Sequence, residues 1–374
     1  MRPSDELVIA QSGDIPPLNV FVHLAHDKDP EKWRTAFHAG TLVGRNDETP
    51  YGYGRANSLG CQVTFSRSLE ESRLEKARRL AYRVALGFDY LHALRQRDAI
   101  RAADVVWTHT ESQFLGVASI IRNSARRPRV IAQAVWLLDR WPTLTPLHKI
   151  LFKQLIRNVD ILTTHSELNA SLARELFPKT KVLVVPFGIP SENPTPPVFR
   201  STDPVRVLAV GNDRHRDWST LIEAFGNQEN YAVEIISSTV SKSLIRNVRN
   251  VTVRSLTKNS DLIEAYAKAT IAVVPLRPNL HASGATVTQE AVLAGIPLVV
   301  TDAGGLKNYF DDSEVTFVRT RDAKSLRDAV ADLLKNPNRA LQMAGRAQAK
   351  MASGALGADA YIKRHVELSR DLIA

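Results

Sequence analysis

The chain has a single cysteine, Cys61, among its 374 residues. One thiol excludes an internal disulfide framework and any zinc site built on cysteines, and it fits a reducing cytoplasm. No run of eighteen apolar residues occurs, and the first twenty positions show no basic start followed by a long apolar stretch, so neither membrane spanning nor secretion is expected. Zinc-finger, RNP-like and basic-zipper patterns are missing, which leaves nucleic acid without a recognisable reader and argues against it as a partner. No internal sequence repeat is visible either.

What is present is an ordinary globular composition, 44% hydrophobic, long enough for two domains. The formal net charge is +10, and it is uneven: residues 1–190 hold 26 Lys+Arg against 19 Asp+Glu. That field suits an anionic partner, whether nucleic acid, an anionic membrane surface or a phosphorylated small molecule, and charge alone does not choose among them.

The stretch Ile271–Asp311 reads as strand, loop, helix, strand and loop. IAVVPL and PLVV are short apolar runs of the buried parallel-strand kind, and TVTQEAVLA between them carries a helix ended by Gly295 and Pro297. Ser283, Gly284, Ala285 and Thr286 crowd the start of that helix with small side chains. Its free N–H groups and positive dipole end could therefore receive an anion. Glu290 follows about two turns on, within reach of a ribose attached to a bound phosphate. By themselves these residues equally fit a plain βαβ unit with a solvated glutamate.

The segment HASGATVTQEAVLAGIPLVVTDAGG resembles the donor site of GT-B glycosyltransferases, in particular the retaining family four (glycosyltransferases group 1). Glu290, Ala291, Ala294, Gly295, Pro297, Thr301, Gly304 and Gly305 match its EAxAxGxPVVxTxxGG run. A first glutamate expected eight positions before Glu290 is replaced by Ala282, flanked by His281 and Ser283. The resemblance implies an α/β architecture of two Rossmann-like doubly wound domains facing across a cleft. It divides the chain into an acceptor-binding domain over 1–190, a proline-rich linker over 191–204, a nucleotide-sugar domain over 205–355, and a terminal helix over 356–374 that returns to the first domain.

The same resemblance assigns roles. Gly211, Arg214, His215 and Arg216 follow the first strand of the second domain, where relatives neutralise the donor diphosphate, and arginine's planar fork suits that task. Backbone near Leu256 would meet the nucleobase. In the first domain His109 stands where the family often directs a histidine at the sugar, and VDILTTHSE, containing His165 and Ser166, resembles another family strand. YGYGR at 51–55 is a candidate counterpart of the family's glycine-bearing turn. His109, Arg216 and Glu290 are the catalytic candidates. Gly211, Arg214, His215, Leu256 and 283–286 are the donor-binding ones. No metal and no cofactor beyond the nucleotide-sugar co-substrate is implied.

The expected reaction moves a sugar from a nucleoside diphosphate to an acceptor hydroxyl, in glycolipid or cell-envelope glycan synthesis. A non-catalytic nucleotide-sugar-binding scaffold and an inverting transferase or epimerase are the alternatives. Residues 69–103 read as one or two helices with an apolar stripe of Leu80, Val84, Phe88 and Leu91, and with Arg73, Lys76, Arg79 and Arg83 on another face. Such a helix could lie on an anionic membrane, which would place the protein at the inner face of the plasma membrane with a glycan or lipid-linked acceptor. Nearer the start, His26 and Asp27 stand at the end of the first strand, where ligands of open α/β sheets collect.

Overall fold

The computed structural model describes residues 16–124 and 127–374. Two six-stranded sheets, parallel throughout, carry helices on their faces. The first contains β1 (Leu18–His23), β2 (Cys61–Phe65), β3 (Val105–Thr108), β4 (Arg129–Gln133), β5 (Ile161–Thr164) and β6 (Lys181–Val184), in the order β2-β1-β3-β4-β5-β6. The second contains β7 (Val205–Val210), β8 (Tyr231–Ile236), β9 (Val251–Arg254), β10 (Ile271–Val274), β11 (Leu298–Thr301) and β12 (Thr316–Val318), in the order β12-β11-β10-β7-β8-β9. Both are doubly wound, as expected. Central strands such as β3, β5, β10 and β11 are buried along their whole length, which is why their sequences are unbroken apolar or threonine runs rather than alternating ones.

In each sheet the chain leaves the first strand in one direction and later returns to its other side. The reversal lies between β1 and β3 in the first sheet and between β7 and β10 in the second. Loops at the carboxyl ends of these pairs diverge and leave a crevice, the usual ligand position in open α/β sheets.

The last helix, Ala358–Ile373, packs on the first sheet and not on the second. Tyr361 Oη meets Tyr53 Oη at 2.8 Å, Trp107 Nε1 donates to Ser369 Oγ at 2.8 Å, and Arg370 donates to the Leu59 carbonyl at 2.7 Å. The first two of these bonds satisfy the polar ends of otherwise buried aromatic side chains.

The 69–103 region departs from expectation. It forms three helices, Arg73–Leu86, Tyr90–Arg95 and Arg97–Ala102, because Gly87 takes a left-handed conformation that ends the first. Of the anticipated stripe only Phe88 is buried, while Leu80 and Val84 face solvent at 41% and 81% exposure. Arg79 reverses too. It points inward and is buried between Glu71 and Asp89.

Candidate active site

A cleft of about 350 Å³ opens where the carboxyl ends of the two sheets face each other. His109, Arg216, Ser283, Gly284, Ala285 and Thr286 all line it. The second half's wall is built on β7 and β10. After β7 the chain turns at Gly211 with φ +144°, and a Cβ there would lie 2.0 Å from Arg216 Nε, so only glycine lets the guanidinium settle. Arg216 is 5% exposed and its Nε has no hydrogen-bond partner. Its Nη1 reaches only Ser283 Oγ, at 3.4 Å. Burial lowers its pKa to about 10, which still leaves it charged near neutrality.

Beside it the helix Ala285–Leu293 begins. Gly284 is its N-cap, left-handed at φ +90°, and no side chain caps the helix. A buried guanidinium without a carboxylate partner therefore sits next to an uncapped helix N-terminus. Such a pair is an anion cradle.

The first half supplies an aromatic wall. His109 stacks on Tyr51 with ring centroids 3.5 Å apart, and its Nδ1 lies 3.2 Å from Tyr53 Oη. Burial, with His165 and His365 nearby, holds His109 well below its ordinary pKa, so it is neutral. Tyr51 reaches this position through φ +56°, which the following Gly52 at φ +75° continues. His165 and Phe187 complete the wall.

An ion bridge joins the halves. His281 Nδ1 lies 2.7 Å from Asp139 in the short helix Leu137–Arg140, and its Nε2 lies 3.1 Å from Asp213 after β7. Burial alone would lower His281, yet the two carboxylates raise it above its ordinary value, so it bridges them as an imidazolium. Ligating atoms of Asp213, His215 and His281 lie within 4.8 Å of one another, a spacing a cation could use. Both His281 nitrogens already face carboxylates, and the protonated ring fills that place with its own charge.

The remaining candidates stand elsewhere. Arg214 is exposed and does not line the cleft. Leu256 is half-buried against the second sheet's core. His215 flanks the cleft, 3.1 Å from Asp213. Glu290 lines a neighbouring cavity of about 340 Å³, which shares Arg45, Asn46 and Pro190 with the cleft. There its carboxylate accepts from Arg45 N at 2.9 Å and Tyr266 Oη at 3.3 Å, and burial raises its pKa. The first half's Gly40–Asn46 loop thus lies over Glu290, and Asn259 Oδ1 holds it through Gly44 N at 3.0 Å.

Residues 198–350 match the family model of glycosyl transferases group 1. The matched span contains the whole second sheet. With that match comes the enzyme class, a nucleotide-sugar-dependent glycosyltransferase. No curated protein matches the sequence significantly. Among solved structures, sucrose-phosphate synthase from Thermosynechococcus elongatus superimposes with TM-score 0.72 at 16% identity, covering 95% of this chain and 99% of that one. HepE from Anabaena in complex with UDP-glucose gives 0.65 at 10% identity, covering 94% and 99%. An alpha,alpha-trehalose-phosphate synthase (UDP-forming) from Burkholderia vietnamiensis gives 0.59 at 13%, covering 91% and 86%. At these identities the likeness establishes the GT-B fold over both halves of the glycosyltransferase.

Sequence reasoning missed the Gly44–Arg45 contact on Glu290 and the bridge through His281. No local pattern marks Arg45, since its partner lies 245 residues away. For the bridge there was a signal, a histidine beside the position where the family's first glutamate is absent.

Proposed function

We propose that the protein transfers a sugar, with retention, from a UDP-sugar to an acceptor hydroxyl in glycolipid or cell-envelope glycan synthesis. The observation that carries this reading is the uncompensated Arg216 at the N-terminus of Ala285–Leu293. It offers fixed positive charge where a leaving diphosphate would develop negative charge. The HepE complex with UDP-glucose and the UDP-forming synthase support uridine as the base.

In this scheme Arg216, Ser283 and Thr286 hold the diphosphate, and Glu290 takes the ribose hydroxyls once Gly44 and Arg45 move off it. His109 and Tyr51 present a neutral aromatic face to the sugar. Retention is favoured because the carboxylates lining the cleft are committed: Asp47 to Arg55 at 2.5 Å, and Asp213 to His281 and His215. Neither is free to act as the base that an inverting displacement needs. Arg216 and the helix terminus supply the charge stabilisation, so no metal is required.

We place the acceptor side at an anionic membrane. Leu74 and Val84 on Arg73–Leu86, with Leu147 and Ile150 on the adjoining helix Pro146–Ile156, are 80%, 81%, 79% and 56% exposed. Arg73, Lys76, Arg78 and Arg83 are exposed beside them. Each such cation near an anionic surface contributes about 1 kcal/mol, enough together for reversible, salt-sensitive attachment. Among the described residues no helix is long and apolar enough to cross a membrane.

The test is transfer from UDP-sugars to acceptors in vesicles with and without anionic lipid, with the product anomer read by NMR and a parallel reaction in EDTA. Expected are the donor's anomeric configuration, activity that survives chelation, and co-sedimentation with anionic vesicles that high salt reverses. Donor binding without transfer to any acceptor would favour a scaffold instead. An inverted product would overturn retention.

A further inference from the structure

The first sheet has its own crevice at its reversal point, between the ends of β1 and β3, and the scheme above leaves it unused. It holds a pocket of about 320 Å³ under the helix Arg73–Leu86, within the size range of small-molecule sites. After β1 come His23, His26 and Asp27; after β3 come Ser112 and Gln113. The helix contributes Arg79, and Asp89 and His92 close the wall.

We infer that this pocket binds a sugar unit of the acceptor through its hydroxyls, seating it one helical turn from the transfer cleft. The inference rests on the transferase reading for the word acceptor and on the pocket itself for the sugar. His23 is 1% exposed, and its Nδ1 has no hydrogen-bond partner. An orphaned buried ring nitrogen costs free energy that a bound hydroxyl would offset. His23 stacks on His92 at 4.9 Å between centroids, and burial depresses both rings, so each is neutral. Neutral His92 donates its Nε2–H to the Leu24 carbonyl at 3.1 Å, which leaves its Nδ1 as an acceptor beside the unpartnered Nδ1 of His23.

Charge argues against a phosphate as the buried group. Arg79 is the pocket's buried cation, and it is already matched by Glu71 at 2.9 Å and Asp89 at 2.5 Å. Arg83 also lines the pocket but is exposed to solvent, so no uncompensated cation is buried there, in contrast to Arg216 across the cleft. The two chambers are neighbours: Thr110 lines the cleft, and its hydroxyl donates to the Gln113 side-chain oxygen in the pocket wall. That bond fixes Gln113 and turns its amide nitrogen into a free donor.

The experiment uses the full chain and saturation-transfer NMR with methyl glucoside, N-acetylglucosamine, myo-inositol, glucose 6-phosphate and inorganic phosphate as probes. Vesicles of monoglucosyl diacylglycerol serve as a competitor. His23→Phe, which keeps the ring stack, and Gln113→Leu are compared with the parent, with thermal unfolding and UDP titration reporting whether each has folded. The expected result is binding of at least one uncharged probe, weakened about tenfold or more in both variants and not displaced by UDP. Displacement by the glycolipid vesicles would name a lipid headgroup as the natural source, and its absence a free saccharide. No binding by any uncharged probe, binding by the phosphates alone, or equal binding in parent and both variants would overturn the inference. Failure to bind any UDP-sugar would sink the transferase reading while leaving the sugar pocket standing.

Discussion

The two halves share one topology and place a crevice at the same point of each, yet they furnish it with opposite chemistry. At the end of β7 and β10 stand glycines, an unpaired guanidinium and an uncapped helix. At the end of β1 and β3 stand imidazoles, a matched ion pair and an amide. One crevice offers net positive charge to an anion, and the other offers balanced donors and acceptors to something neutral. Topology decides where a ligand can sit, and the loops after each strand decide which ligand it is.

The sharpest way to break the comparison is to remove the charge from one side. Arg216→Ala should cut kcat with a UDP-sugar roughly a hundred- to a thousandfold, the range seen when a preorganised donor to developing negative charge is lost. Arg216→Lys should recover little, because a point charge on a flexible stem does not fill the slot between Gly211 and Gly284 that the planar group occupies. Turnover in Arg216→Ala equal to the parent's would remove the diphosphate from this crevice.

A second effect separates the halves by pH. Buried neutral histidines are concentrated on the first half and its returning helix: His23, His92, His109, His165 and His365 all lie below their ordinary pKa, chiefly through burial. His165 and His365 are lowered to about 4. Unfolded, each binds a proton near pH 6.5, so the stability they confer is present above that value and is lost as pH falls towards 4. Each depressed histidine can account for up to about 3 kcal/mol of that loss. Hydrogen exchange between pH 7 and 4.5 should therefore show amides of β1, β3 and β5 losing protection before those of β7, β10 and β11. Simultaneous loss in both sheets would contradict this distribution.

The same contrast explains what was legible in the sequence. The fold was, because unbroken apolar runs alternating with amphipathic helices leave few alternatives to parallel doubly wound sheets. The second crevice was mostly legible: Gly211, Arg216 and 283–286 sit within a few residues of their strand ends, and local spacing fixes them. Glu290 was placed on the correct helix, but its cover was not legible, since the Gly40–Asn46 loop that lies over it arrives from the other half. Arg79 was read as a surface cation from its helical position. Its burial depends on Glu71 and Asp89, eight and ten residues away around a turn that helical periodicity does not describe. Of the first crevice, only His26 and Asp27 could be located, because its other walls come from Arg79 to Gln113 and meet only in the fold.

The smallest effect expected lies where the halves touch. His281 carries two carboxylates, Asp139 from the first half and Asp213 from the second, and only the protonated ring can donate to both. Its raised pKa means that this bridge stabilises contact between the halves fully below about pH 6.5 and is lost as pH rises through the folded-state value. Above that point one nitrogen becomes a lone pair facing a carboxylate, and the halves are held by their remaining contacts. The donor KM should then rise a few-fold with pH in the parent, with kcat changing less, because the bridge positions the walls of the cleft without touching the reacting atoms. Asp139→Asn keeps the shape but removes one charge, so His281 should titrate lower and the rise in KM should begin at lower pH. The ring can be followed directly by its imidazole nitrogen shifts. An identical His281 titration in parent and Asp139→Asn would show that the bridge does not set its protonation, and the pH dependence of KM would then need another group.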